Sequence, residues 1–221
     1  MKKITNAYFN ELAFLTVDMK VRPPLLLRWM FPGTTWRIPE KEKRVYITFD
    51  DGPIPEVTPR VVEMLNKYGA KATFFCVGDN VRKHPEVYSM LINNGMATGN
   101  HTYSHLKAWQ SSKSEYFSDI KKGKHYIGGN LYRPPHGQLY PWYIGFLKRN
   151  FSKVVMWDLL SQDWKNDLSA DDIYKNVIRN VRSGSIIVFH DSLKAWPRLE
   201  TALPLTLEFL KREGYSMEII Q

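Results

Sequence analysis

Val45-Tyr46-Ile47-Thr48-Phe49-Asp50-Asp51-Gly52-Pro53 gives the clearest indication of how this chain folds. Its first five residues are all β-branched or aromatic, a composition typical of a buried strand. The Gly-Pro pair predicts a turn directly after the two aspartates. The strand therefore delivers two adjacent carboxylates into the loop at its C-terminal end, where α/β proteins commonly hold their functional groups.

Six further apolar runs follow this strand, separated by segments with helical periodicity. The runs cover residues 72–77, 96–99, 131–134, 153–158, 185–189 and 215–220. Helices are predicted at 59–68, 85–94, 170–181 and 200–212. Ser169 is expected to cap the third helix, and Pro204 to lie in the first turn of the fourth, where proline is tolerated. Seven strands alternating with helices predict a parallel α/β architecture in a single domain.

Residues 1–44 are expected to form an N-terminal extension of a domain that covers residues 45–221. Polar residues soon interrupt the apolar ones after Met1, so we expect neither a signal peptide nor a transmembrane span, and Met19 is an alternative start. The basic, Leu- and Trp-rich segment 20–32 can contact a membrane interface or pack against the underside of the domain, and packing is the favoured alternative. The missing secretion signal favours a cytoplasmic or membrane-proximal location over an extracytoplasmic one.

The bulk composition is that of a folded globular protein, with 43% hydrophobic and 24% charged residues. Lys and Arg exceed Asp and Glu by 31 to 22, which gives a formal charge of +9, but no block of like charge stands out. No nucleic-acid-binding module is recognisable, so we expect no nucleic-acid partner. The single cysteine, Cys76, lies in an apolar run and is expected to be a buried, inert thiol.

Polar residues of catalytic type follow five of the predicted strands. In a closed parallel barrel all strand C-termini open on one face, so these groups would meet there. They are Asp50-Asp51, residues 100–105, residues 133–137, residues 158–164 and His190-Asp191. Their convergence predicts an active site on that face.

His101 and His105 are four residues apart, which lets both imidazoles point the same way if the segment forms a helical turn. Two histidines and one carboxylate are a common set of zinc ligands that leaves a position open for water or substrate. The alternative is a pair of unrelated polar histidines, but an available Asp51 favours a metal site.

The two adjacent aspartates are better assigned different roles. If one binds the metal, its neighbour can take a proton from water. Arg133 can pair with that second carboxylate, although a surface ion pair of little value is the alternative. His190 can protonate a leaving amine while Asp163 holds its ring, although a hydrogen-bonded core histidine is the simpler interpretation of His190 alone.

Five segments, taken in order, resemble the five motifs of the polysaccharide deacetylases, the NodB-like carbohydrate esterase family 4. The segments are Thr48-Phe49-Asp50-Asp51-Gly52-Pro53, His101-Thr102-Tyr103-Ser104-His105, Arg133-Pro134-Pro135-His136-Gly137, Asp163-Trp164 and Val188-Phe189-His190. The resemblance covers about residues 45–220. It implies a distorted, TIM-like (β/α)7 barrel and metal-dependent removal of acetyl groups from amino sugars.

The resemblance also implies roles for individual residues. Asp50 would be the general base, oriented by Arg133. Asp51, His101 and His105 would bind the metal, usually zinc, although cobalt, manganese or nickel is also possible.

The remaining roles concern the leaving group and the substrate. His190 would be the general acid, supported by Asp163. The backbone N–H of His136 would help to hold the oxyanion, while His136, Trp164 and Phe189 would contact the sugar.

Two departures from the family pattern concern the sugar site. An aromatic residue usually stands at the position of His136, and an acid often stands at that of Leu160. Neither change removes a catalytic group, so we expect activity on an acetylated glycan, with the sugar preference left open.

The expected reaction is hydrolysis of an N-acetyl group on N-acetylglucosamine units of a glycan such as peptidoglycan or a chitooligosaccharide. The metal would polarise the carbonyl, Asp50 would deprotonate water and His190 would protonate the leaving nitrogen. Alternatives are an O-acetyl-xylan esterase, a deformylase or deacetylase of a lipid-linked amino sugar, and a noncatalytic glycan-binding module. No feature of the sequence indicates an oligomeric state.

Overall fold

A curled, all-parallel sheet forms the centre of the computed structural model, which describes residues 21–221. The strand order is β5-β4-β3-β2-β1-β7-β6, and β8 pairs with the beginning of β1. The strands are β1 (Arg44–Asp50), β2 (Ala72–Cys76), β3 (Ala97–Asn100), β4 (Leu131–Tyr132), β5 (Lys153–Val154), β6 (Leu159–Leu160), β7 (Ile186–His190) and β8 (Ser216–Met217). With its covering helices the sheet forms an open, distorted (β/α)7 barrel in one domain, which confirms the fold class that the family resemblance implied.

β1 lies in the middle of the sheet and is buried from Val45 to Asp50. Successive side chains of a strand point to opposite faces. Val45, Ile47 and Phe49 therefore join the core cluster under the helices. Thr48 and Asp50 point the other way, which places polar groups inside the curl.

Eight α-helices and three short 3-10 helices lie in the described part of the chain, and the α-helices are numbered here. They are α1 (Leu25–Met30), α2 (Thr58–Tyr68), α3 (Gly78–Lys83), α4 (Pro85–Asn93), α5 (Lys113–Tyr126), α6 (Ile144–Asn150), α7 (Ala170–Ile178) and α8 (Trp196–Arg212). Ser169 caps α7 through a capping box with Asp172, which confirms the predicted cap, although α7 ends three residues before the predicted end. The sequence patterns predicted α2, α4, α7 and α8 but not the other four.

Two boundary predictions were wrong. α8 begins at Trp196, with a proline in its first turn, and so Pro204 lies in the helix interior. The run 153–158 is not one strand, because β5 ends at Val154 and β6 begins only at Leu159. Cys76 is buried as predicted, and burial raises the pKa of its thiol well above the ordinary value.

The sheet does not close, because β5 and β6 lie at its two ends and do not pair. Residues 21–38, here called the N-terminal strap, lie against both ends. Backbone bonds join Thr35 to Val154 and Met156 on one side, and the Leu160 N–H to the Val21 carbonyl on the other, with lengths of 2.8–2.9 Å. The strap therefore occupies the gap between β5 and β6.

Asp158 fixes the strap to the barrel. This fully buried carboxylate accepts hydrogen bonds from Arg22 and Arg28 of the strap and from Arg182 and Ser185 of the barrel, at 2.8–3.2 Å. Burial opposes its ionisation, but these partners lower its pKa to about 2. Three arginines thus compensate one buried charge.

Predictions about residues 1–20, namely the missing signal peptide and the alternative start at Met19, lie outside the described residues. Within residues 21–221, no helix combines the length and apolar character needed to cross a bilayer.

Candidate active site

The loops after β1, β3, β4, β6 and β7 meet at the C-terminal end of the sheet. Among residues 21–221, all non-glycine residues with a left-handed backbone lie in four of these loops, and they are Asp51, Thr102, His105, His136 and Gln162. Such conformations cost of order 1–3 kcal/mol each and persist only where the surroundings enforce them. The rest of the fold therefore holds this rim in a strained shape.

Asp51, His101 and His105 form a candidate metal site, with ligand atoms within 4.8 Å of one another. Asp51 Oδ1 lies 3.2 Å from His105 Nε2 and 3.9 Å from His101 Nε2. The segment between the two histidines does not form a helical turn. Positive φ angles of 65° at Thr102 and 58° at His105 instead bring the two imidazoles together, with ring centroids 5.0 Å apart.

The protonation states of this cluster suit a metal ion. His101 donates its Nδ1–H to the Arg133 carbonyl at 2.8 Å, which leaves the Nε2 lone pair directed at the cluster. Burial lowers the pKa of His101 to about 4, so its ring is neutral at pH 7. Burial opposes ionisation of Asp51, but the hydrogen bond to His105 and the neighbouring histidines bring its pKa below the usual range. A neutral imidazole and an ionised carboxylate are the forms that bind metals.

Asp50 lies beside this cluster and pairs with Arg133. Arg133 Nη1 donates to Asp50 Oδ1 at 2.7 Å, while Asp50 Oδ2 lies 4.0 Å from His101 Nε2. Arg133 is completely buried and also donates to Thr48 Oγ1 and to the carbonyls of Val155 and Met156. The guanidinium is therefore fixed, and the Asp50 carboxylate is fixed with it.

His190 and Asp163 form the second predicted pair. Asp163, fully buried, accepts the His190 Nδ1–H at 2.8 Å and the His190 backbone N–H at 2.7 Å. Burial alone would lower the pKa of His190, but Asp163, with smaller contributions from Asp51 and Asp50, raises it to about 9. The ring is consequently protonated at pH 7, with Nε2 as its unbonded donor position.

The predicted substrate residues have different surroundings. Trp164 packs edge-on against His190, with ring centroids 4.8 Å apart, and the exposed His136 ring lies 4.5 Å from that of His105. Both stay predictions as sugar contacts. The prediction for Phe189 was wrong, because its side chain is fully buried and stacks on Phe49 in the core. Strand alternation directs it away from the face that His190 occupies.

Asp119 on α5 is a site-supporting residue that the sequence reasoning missed. Its carboxylate accepts the backbone N–H groups of Tyr103 and Ser104 and the Ser104 hydroxyl, at 2.9–3.0 Å. These bonds hold the loop between the two candidate histidine ligands. The Ser112–Glu115 capping box at the start of α5 was the signal that would have revealed this helix.

A carboxylate and a protonated imidazole next to a candidate metal site, on the open end of a parallel barrel, define a metal-assisted hydrolase. The family model described as polysaccharide deacetylase matches residues 37–150. The chain belongs to the polysaccharide deacetylase family.

Individual relatives match most of the chain. A peptidoglycan-N-acetylglucosamine deacetylase from Bacillus cereus is 35% identical over 188 residues, 82% of this chain and 88% of that protein. A chitooligosaccharide deacetylase from Azorhizobium caulinodans is 32% identical, over 72% and 79% of the two chains. A crystal structure of a peptidoglycan N-acetylglucosamine deacetylase in complex with 4-naphthalen-1-yl-N-oxidanyl-benzamide has a TM-score of 0.81 and 31% identity, covering 89% of this chain and 94% of that one.

Proposed function

We propose that this protein hydrolyses the N-acetyl group of N-acetylglucosamine units in peptidoglycan or a chitooligosaccharide-like glycan. The observation that carries the proposal is the position of two paired groups beside the candidate metal site. These are the Asp50–Arg133 pair and the His190–Asp163 pair. Two of the relatives are named peptidoglycan-N-acetylglucosamine deacetylase and chitooligosaccharide deacetylase, and these names support this substrate class.

Zinc is the metal that we propose for Asp51, His101 and His105. Imidazole and carboxylate donors suit zinc, and three protein ligands leave a position for water or substrate. When bound, zinc would polarise the acetyl carbonyl and acidify water. Cobalt, manganese and nickel accept the same donor set and are the alternatives for a metal-exchange experiment.

Asp50 and His190, beside the candidate metal site, each carry out one of the two proton transfers. Asp50 takes a proton as the water oxygen bonds to the carbonyl carbon, and Arg133 keeps that carboxylate in place. His190, already protonated, donates from Nε2 to the amide nitrogen as the C–N bond breaks. Acetate and the free amine leave, and the backbone N–H of His136 is the proposed donor to the developing oxyanion.

Acetate release tests this division of roles. Asp50→Asn and His190→Ala should each lower kcat by about 10²–10⁴-fold on N-acetylglucosamine oligomers and peptidoglycan while retaining metal. Glu208→Gln, at an exposed position on α8, is the control and should be unchanged. Release from acetylated xylan alone would indicate an esterase. Glycan binding without acetate release by the metal-loaded protein would indicate a noncatalytic module.

Membrane proximity is a separate proposal. Arg22 and Arg28 are bonded to Asp158, so contact would fall on Leu25, Leu26 and Trp29 of α1, which are 79%, 68% and 80% exposed. Serine at these three positions should reduce sedimentation with anionic liposomes. Undiminished sedimentation would reject the proposal.

A further inference from the structure

Asp191 is a buried carboxylate that the proposed reaction does not use. It follows His190 at the end of β7 and is completely inaccessible to solvent. Its Oδ1 accepts the Gly52 backbone N–H at 3.1 Å, and its Oδ2 accepts the Thr58 hydroxyl at 2.5 Å. The Asp191 backbone N–H donates to the Asp50 carbonyl at 3.2 Å. Asp191 therefore bonds on both sides of the strained residue Asp51.

The peptide group between Asp51 and Gly52 is held at both of its polar atoms. Its N–H is bonded to Asp191, and its carbonyl, that of Asp51, accepts from the Asn80 side chain at 2.8 Å. Fixing this plane fixes ψ of Asp51, whose φ is +84°. The backbone torsions decide where a side chain points, so the two bonds determine whether the Asp51 carboxylate faces His101 and His105.

The Asp191 carboxylate packs directly against the backbone of the turn at Gly52. A Cβ on Gly52 would lie 2.0 Å from Asp191 Oδ2, so only glycine fits there. Among the described residues Asp191 has no cation within ion-pair distance, whereas Asp158, equally buried, has three arginines. Hydrogen bonds from the Gly52 N–H and the Thr58 hydroxyl, and not an ion pair, therefore define the surroundings of Asp191.

We propose that Asp191 is a positioning residue that holds the Asp50–Gly52 turn in the geometry needed for metal binding by Asp51. Thr58 acts with it, because its hydroxyl donates to Asp191 while accepting the Ile54 N–H at 2.7 Å. This inference rests on the proposed function, because it concerns the candidate metal site of the same active site. Its primary readout, metal affinity, does not depend on which acetylated sugar is cleaved.

The test is zinc titration of the metal-free protein against a chromophoric chelator. Asp191→Asn replaces one carboxylate oxygen by an N–H donor and should weaken zinc binding by about 10–100-fold, the range for residues that orient metal ligands. Thr58→Val should weaken it less, and Thr58→Ser, which keeps the hydroxyl, should restore it. Asp158→Asn is the matched control, since it disturbs an equally buried carboxylate away from the site and should leave zinc affinity within about twofold.

Each result bears on a distinct point. The positioning role would be overturned if Asp191→Asn bound zinc as tightly as the wild type and differed from it only in a lower unfolding temperature. If Asp191→Asn does not fold, the same conclusion would follow from a Thr58→Val variant that binds zinc as tightly as the wild type. Equal weakening in Asp158→Asn would show a general loss of stability and would also overturn it. Absence of acetate release from the wild type would count against the proposed function and leave the zinc result standing.

Discussion

Replacing Asp163 by asparagine tests the electrostatic basis of the proposed general acid. The Asp163 carboxylate receives two hydrogen bonds from His190, one from the ring and one from the backbone. The two bonds go to different oxygens, and an amide keeps only one of these atoms as an acceptor, so the substituted side chain loses one of the bonds. The variant loses a buried negative charge and one hydrogen bond while keeping almost the same shape.

The size of the effect follows from the His190 pKa, which is raised from an ordinary 6.5 to about 9. A difference of that size favours the imidazolium by about 3 kcal/mol, at 1.36 kcal/mol per pKa unit. Because the folded-state pKa is the higher one, this stabilisation is complete below about pH 6.5 and disappears as the pH rises through about 9. In Asp163→Asn, burial still lowers the His190 pKa, but the carboxylate that raises it is gone. The His190 pKa should therefore fall below about 7.

Two measurements check this prediction. The pH profile of kcat/KM for acetate release should lose activity on its alkaline side about 2 pH units lower in Asp163→Asn than in the wild type. The unfolding free energy of the metal-free wild type should fall by about 3 kcal/mol between pH 6 and pH 10 relative to His190→Gln, and Asp163→Asn should lack that fall. An unmoved alkaline limb in a folded, metal-loaded variant would refute the reasoning.

Four further perturbations follow from the structure. Gly52→Ala forces a Cβ against Asp191 and should weaken zinc binding by more than about 10-fold in a chelator titration. Asp119→Ala removes three hydrogen bonds from the histidine loop and should weaken zinc binding by about 10-fold, measured in the same way. Asp158→Ala leaves three arginines without their carboxylate and should cost about 3–5 kcal/mol in urea unfolding with turnover per folded molecule preserved. Zinc at 100 times its Kd should stabilise the wild type by about 2.7 kcal/mol, and Asp51→Asn should abolish that gain.

The contrary outcomes are equally specific. Unchanged zinc affinity in Gly52→Ala or Asp119→Ala would mean that the loops keep their shape without these contacts. A loss of turnover per folded molecule in Asp158→Ala would connect the strap to the active site, which the structure does not indicate. Zinc stabilisation that survives in Asp51→Asn would place the metal elsewhere.

The central strand and the grouping of polar residues were predictable because side-chain patterns report burial. Val45 to Phe49 form the middle of the sheet, and the predicted metal ligands meet as expected. Strands β4 and β5 have only two residues each, so backbone pairing, not side-chain pattern, defines them. Pattern reasoning therefore gave strand positions better than strand lengths.

The loop geometry could not be predicted, because it depends on long-range contacts and on backbone conformations that these residue types rarely adopt. Thr102 and His105 have positive φ angles although neither is glycine, and no local rule indicates this. Asp119 contacts the loop between His101 and His105 from α5, a helix that starts eight residues after His105. The four-residue spacing of the histidines would align their rings on a helical turn, but these tertiary contacts impose a different loop.

The N-terminal strap has a consequence for assembly. An open parallel sheet ends in two strands whose unpaired backbone groups can recruit a strand from another molecule, which leads to domain swapping or aggregation. Here the strap bonds to the backbone at both ends of the sheet, at Val154 in β5, at Met156 just after β5 and at Leu160 in β6. It thus protects the edges of a barrel that does not close on itself. Removing it would expose those edges and make the protein prone to self-association, even with every residue of the metal cluster in place.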